Sequence, residues 1–141
     1  MDNKSIYGNE EMKKYFRKIL DDYNQTWYDK SIDKLLEYYD VKNNRLIYYD
    51  NHKNNDTYTV QEHINLVSNF FLQGKETESR AVEELIIEDF NVFSKNETAC
   101  LCFITRDKSC PNPFVRTTMY LEQIEDKWKV IHVHCSFEPN I

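Results

Sequence analysis

His132 and His134 stand two residues apart in a β-rich run, so a strand would put both imidazoles on one face. With a third ligand such as Glu122 they could hold a metal, as imidazoles and carboxylates do. The plainer reading, adopted here, is a pair of imidazoles hydrogen-bonded between strands or between subunits, and no metal is expected. The cysteines are Cys100, Cys102, Cys110 and Cys135, with no C-x-x-C pair among them. That spacing does not suit the common structural zinc sites. In a reducing compartment such thiols stay free and act as small core hydrophobes. A nucleophilic hydrolase finds little support either: no Ser-His-Asp order stands out. Cys135 adjoins His134, and a strand turns neighbouring side chains to opposite faces. With Gly 2 in the whole chain, a glycine-rich phosphate loop or a dinucleotide fingerprint is excluded.

The elements that must position these groups belong to a chain of 141 residues, the size of one domain. Apolar residues at 40% and charged residues at 30% are the balance of a folded, soluble protein. Eighteen basic against 24 acidic residues leave a net charge of −6, the wrong sign for gripping phosphates or an anionic membrane. Neither nucleic acid nor membrane is therefore expected as a partner. No apolar run approaches the ~20 residues of a spanning helix. Residues 1–5 carry no apolar stretch of the signal-peptide kind, so a cytoplasmic protein is expected. One domain over 1–141 is anticipated, with 1–8 as a flexible extension.

Met12, Tyr15, Phe16, Ile19, Leu20, Tyr23 and Trp27 recur at spacings of three and four and predict one amphipathic helix. A shorter pattern, Ile32, Leu35, Leu36 and Tyr39, follows a break; Asp29 or Ser31 is its cap. Residues 45–50 read as a short strand and 51–56 as a loop. Thr59 to Glu62 is a capping box whose helix continues through Ile64, Val67, Phe70 and Phe71 and stops at Gly74. Four long strands are then expected, at 80–94, 98–106, 115–124 and 128–137.

The order is α-α-β-α-β-β-β-β, an α+β architecture with its helices on one face of the sheet. Strands of about ten residues span roughly 33 Å, and a twisted sheet of that length curls around what covers it. The expected form is a cone: a strongly curved antiparallel sheet wrapped around three helices. Alternation sets Ala99, Leu101, Phe103 and Thr105 against Cys100, Cys102, Ile104 and Arg106. It likewise sets Thr117, Met119 and Leu121 against Arg116, Thr118, Tyr120 and Glu122. On the last strand Ile131, Val133, Cys135 and Phe137 oppose Val130, His132, His134 and Ser136. Apolar residues occur on both faces, which predicts cover on both.

The run Asp126-Lys127-Trp128-Lys129-Val130-Ile131-His132-Val133-His134-Cys135-Ser136, with Pro139 after it, resembles the final strand of the nuclear transport factor two-like superfamily. Within that superfamily it most resembles the association (hub) domain of calcium/calmodulin-dependent protein kinase and SnoaL-like proteins. Asn91-Val92 followed by Ala99-Cys100-Leu101-Cys102-Phe103-Ile104 is a second match, and the first-helix stripe ending near Trp27, with Asp33 opening the next helix, a third. The resemblance runs from about Met12 to Pro139.

It implies a homodimer or larger ring joined through the outer sheet face, with His132, His134 and Ser136 near the interface. It also implies a pocket inside the cone, where hub domains carry arginines. Here Thr105, Tyr120 and Cys135 stand at those positions, which removes the charge that would hold an acid. The remaining lining, Trp27, Tyr48, Leu101, Phe103, Tyr120 and Val133, is aromatic and apolar: it either fills the cone as core, the favoured reading, or leaves a cavity that suits a small planar ligand. The leading expectation is an association module with such a pocket, no cofactor and no evident catalytic set. The alternative is a cofactor-free isomerase, dehydratase or cyclase acting on a small carbonyl compound. In those branches a carboxylate or histidine removes a proton and a tyrosine or acid stabilises the enolate. Asp50 and Tyr120, with Glu122 as substitute, are the candidates for that work.

Overall fold

The computed structural model describes residues 8–52, 54–77, 85–107 and 114–139. The expected extension at 1–8 therefore lies outside the described residues except for Gly8, as do Cys110 and the start of the strand expected from 80.

Helix α1 spans Glu10–Tyr28; the Asn9 side chain caps it by accepting from the Met12 N–H at 2.8 Å. Its apolar stripe buries Phe16, Leu20 and Tyr23. Helix α2, Ile32–Leu36, is capped by Ser31, not Asp29: the Ser31 hydroxyl accepts from the Lys34 N–H at 3.2 Å. Strand β1, Ile47–Tyr49, is shorter than the expected 45–50. Helix α3, Val60–Thr77, opens on the capping residue Thr59, whose Oγ1 accepts from the Glu62 N–H at 3.1 Å. The helix continues past Gly74, which corrects the expected stop. Glycine permits a left-handed cap without imposing one, and its neighbours Gln73, Lys75 and Glu76 are good helix formers.

Strands β2, β3, β4 and β5 cover Leu85–Lys95, Thr98–Asp107, Val115–Ile124 and Lys127–Phe137. With β1 they form one curved, unclosed sheet in the order β1-β5-β4-β3-β2. The sheet is not wholly antiparallel: β1 pairs with β5 in parallel, Tyr48 opposite Val133. Four elements separate these two strands, so no hairpin dictates their direction.

Two bulges bend the sheet. In β2, Asp89 and Phe90 intervene between the partners of Ile104 and Cys102, and Asp89 takes φ 50. In β5, Tyr120 faces His132 while Leu121 faces Val130, so Ile131 is the extra residue. That bulge corrects the expected alternation, because Val130 and Val133 are both buried, each 1% exposed. The helices cover one face of the sheet, where Val92, Leu101, Leu121, Val130 and Val133 join Phe16, Leu20, Leu35, Tyr39 and Leu46 in the core. On the other face Ile47, Tyr49 and Phe93 are exposed and Cys100, Ile104 and Tyr120 half-buried. Among the described residues no helix is long and apolar enough to cross a membrane.

Candidate functional site

Between α1, α3 and the sheet, the helix-covered face holds a hollow of about 670 Å³. Trp27 enters from α1, and His63, Val67 and Phe70 from α3; Tyr48 stands on β1. The sheet floor is Phe103 and Thr105 of β3, Thr117 and Met119 of β4, and Val133 and Cys135 of β5. Asp50, Asn51, His52 and Asn55 come from the loop after β1. Strand alternation explains the floor: cross-strand partners share a face, and Phe103 opposes Thr117, which opposes Cys135.

One side of the hollow is a hydrogen-bonded row. The Tyr23 and Tyr39 hydroxyls lie 2.7 Å apart, and the Tyr39 hydroxyl lies 2.9 Å from His63 Nε2. Tyr48 stacks on the His63 ring at 4.6 Å between centroids, and Trp27 and Tyr39 meet it edge-on. Burial sets the ionisation here by disfavouring charge. It pushes Tyr23 up to about 12, holds Tyr39 and Tyr48 well above the ordinary phenol value, and brings His63 down to about 4. The imidazole and the phenols are therefore neutral at physiological pH. Burial also raises the Cys135 thiol, which sits 3.6 Å from Thr117 Oγ1.

Of the residues named from the sequence, Trp27, Tyr48, Phe103, Thr105, Val133, Cys135 and Asp50 line the hollow. Leu101 lies beneath it in the core, 0% exposed. Tyr120 does not reach it. Its neighbours Met119 and Leu121 point to the helices, so Tyr120 points the other way, beside Cys100 and Phe93 in a separate groove of about 340 Å³. There its hydroxyl donates to Glu122 Oε2 at 2.9 Å, and Arg45 Nη2 donates to Glu122 Oε1 at 2.8 Å. Asp50 and Tyr120 are thus on opposite faces. Asp50 Oδ2 accepts from Asn55 Nδ2 at 3.2 Å.

His132, His134 and Ser136 share the open face with Tyr49, whose ring meets both imidazoles edge-on at 5.4 and 5.9 Å. His132 Nδ1 is 2.8 Å from the Ile47 carbonyl oxygen. Glu122 does not join them, its carboxylate being engaged by Arg45 and Tyr120. Among the described residues no three His, Cys, Asp or Glu side chains are placed to hold a metal ion together.

Sequence reasoning missed His63, Tyr23 and Tyr39 as site residues. The signal for His63 was present: it lies three residues after Val60 and four before Val67, on the apolar stripe of α3.

No family model matches the chain, and no curated protein matches it in sequence. Solved structures do match. A protein of unknown function from the DUF3225 family of Pectobacterium atrosepticum superposes with a TM-score of 0.67 at 10% identity, over 93% of this chain and 94% of its own. A candidate calcium/calmodulin dependent protein kinase II association domain from Xanthomonas campestris gives 0.66 at 16% identity, over 90% and 88%. A candidate dehydratase of the NTF2-like family from Streptomyces avermitilis gives 0.67 at 11% identity, over 84% and 89%. At such identities the likeness is one of architecture: the chain has the nuclear transport factor two-like fold.

Proposed function

We propose that this chain is a self-associating module that takes a small, planar, largely apolar molecule into the hollow of its cone. The observation that carries the reading is the hollow itself. Its volume of about 670 Å³ is that of a small-molecule site, and its walls are mostly aromatic and aliphatic with a few polar groups. Among the described residues no lysine or arginine lines it, so an uncharged ligand fits better than an acid. Self-association through the open sheet face is supported by Ile47, Tyr49 and Phe93, which lie exposed there. One fold relative is described as a candidate association domain. The reading needs no cofactor. It includes a reducing, cytoplasmic setting in which the thiols of Cys100, Cys102 and Cys135 stay free.

Catalysis is the second reading, favoured by Asp50 and His63 lining the same hollow. Binding is preferred because Asp50 is held by Asn55 and the tyrosine nominated as its partner, Tyr120, is on the far face, although Tyr23 and Tyr48 line the hollow. Titration with N-phenyl-1-naphthylamine, a fluorescent apolar aromatic amine, tests the choice. Saturable enhancement that Thr105→Phe abolishes by filling the floor is expected. Fluorescence that never saturates would end the binding reading. Sedimentation at micromolar concentration is expected to give twice the 17.1 kDa chain mass; a species of 17.1 kDa alone would end the association reading.

A further inference from the structure

Granted the binding role proposed above, we infer that the ligand carries a protonated amine on its planar body and that the Asp50 carboxylate is the counter-ion.

Asp50 stands just past β1, two residues beyond Tyr48, and alternation turns these two side chains the same way. Tyr48 faces the helices, its ring stacked on His63, whereas Ile47 and Tyr49 are exposed on the open face. The parallel register agrees: Tyr48 is opposite Val133 and Tyr49 opposite His134, so the next step sets Asp50 beside Cys135 on the floor. Added to burial, the Asp50 charge pushes up both the Cys135 thiol and the Tyr48 phenol, as a carboxylate close to both does. Asp50 Oδ2 accepts from Asn55 Nδ2 at 3.2 Å, while Oδ1 has no hydrogen bond and Asp50 no ion pair among the described residues. The buried side-chain atoms without partners there are Thr57 Oγ1, His63 Nδ1 and Arg106 Nε. Asp50 Oδ1 is not among them, so this half-buried carboxylate keeps one oxygen within reach of solvent.

Among the described residues Asp50 is the one carboxylate of the lining, and no lysine or arginine balances it. Burial keeps the Tyr23 and Tyr48 phenols, the Cys135 thiol and the His63 imidazole uncharged at neutral pH. His52 meets Phe137 edge-on at 6.0 Å. A ligand that displaces water from Asp50 must replace what it removes, or leave the charge uncompensated. An ammonium does so with a charge-assisted hydrogen bond of about 2.7–2.9 Å. The aromatic walls, Trp27 and Phe103 among them, have negative ring faces that favour the same sign. A bare metal ion is a poorer match, since it needs several ligands together and no three such side chains are placed to hold one.

Two probes of one shape test this by equilibrium dialysis: 2-(aminomethyl)naphthalene, an ammonium at neutral pH, and 2-naphthalenemethanol, its uncharged counterpart. The native chain is expected to bind the amine about tenfold more tightly, and Asp50→Asn to remove the difference while still binding the alcohol. Equal affinities in the native chain would overturn the amine assignment and leave the binding reading intact. A preference that survives Asp50→Asn would overturn Asp50 as the counter-ion. Binding of neither probe would overturn both readings. Carboxyl-carbon NMR of the native chain is an independent check that needs no variant. The amine is expected to move the Asp50 side-chain resonance and the alcohol to leave it in place; a resonance unmoved by saturating amine would sink the inference.

Discussion

Tyr39, just beyond α2, and His63, one turn into α3, are joined by a hydrogen bond of 2.9 Å between the phenol oxygen and Nε2, and both are almost wholly buried. The bond ties two segments that meet only in the folded chain. It also sits in the middle of a row, since Tyr23 lies on its far side at 2.7 Å.

Removing the middle member strands both ends. Tyr39→Phe keeps the ring and its packing but leaves the Tyr23 hydroxyl and His63 Nε2 unpaired in the interior. A loss of about 2 kcal/mol is expected from urea unfolding, more than a single net hydrogen bond is worth. Because the two phenols share one network, Tyr23→Phe combined with Tyr39→Phe should cost less than the sum of the single changes. Strict additivity would mean that the row does not act as a unit.

Acidification should weaken the fold in two separate windows. Unfolded, His63 titrates near 6.5; in the native state burial holds it near 4. Between those values the unfolded chain binds a proton that the native chain does not, so stability falls as the pH falls, by about 3 kcal/mol across the window. The carboxylates act lower down. The Arg45 hydrogen bond holds Glu122 below the ordinary value. Burial would raise Asp40, but hydrogen bonds from Arg45 and Asn43 outweigh it and bring that carboxyl down too. Their stabilisation is present above the ordinary carboxyl range and is lost as the pH drops through the lowered native values. Urea midpoints between pH 7.5 and 3 should therefore show a first decline that His63→Phe flattens and a second that it leaves in place. An unchanged first decline in the variant would assign it to another group.

Arg45 bridges Asp40, at 2.8 Å through Nε, and Glu122, at 2.8 Å through Nη2, and so fastens the turn before β1 to β4. Asp40 is 4% exposed and Arg45 44%, so the pair is neither fully buried nor a free surface contact. Arg45→Met should cost about 1–2 kcal/mol, chiefly by leaving the Asp40 carboxylate with Asn43 as its remaining donor. Glu122→Gln should cost less than that. Equal losses would place the main attachment at Glu122.

Much of this architecture was legible before any coordinates. The α1 stripe, the Thr59 capping box and the long C-terminal strands are local patterns, fixed by residues within a turn or two of one another, and each formed. The walls of the hollow were partly legible for the same reason. Phe103 and Thr105 share a strand face by alternation alone, and Trp27 falls on the helix stripe.

What alternation could not give was set between strands and between helices. The extra residue Ile131 in β5 put Val130 and Val133 on one face, and only the pairing with β4 reveals it. Tyr120 was placed among the pocket residues by resemblance, yet its own neighbours Met119 and Leu121 turn it to the open face. The sequence by itself determined the order of elements, the amphipathic faces and the curl of a long sheet, because those follow from nearest-neighbour backbone and side-chain preferences. The tertiary structure alone decided that Tyr23, Tyr39 and His63, 16 and 24 residues apart, form one buried row. No local pattern encodes that meeting: it arises when three helices dock on one curved sheet and their polar atoms, shut away from water, have only each other to bond.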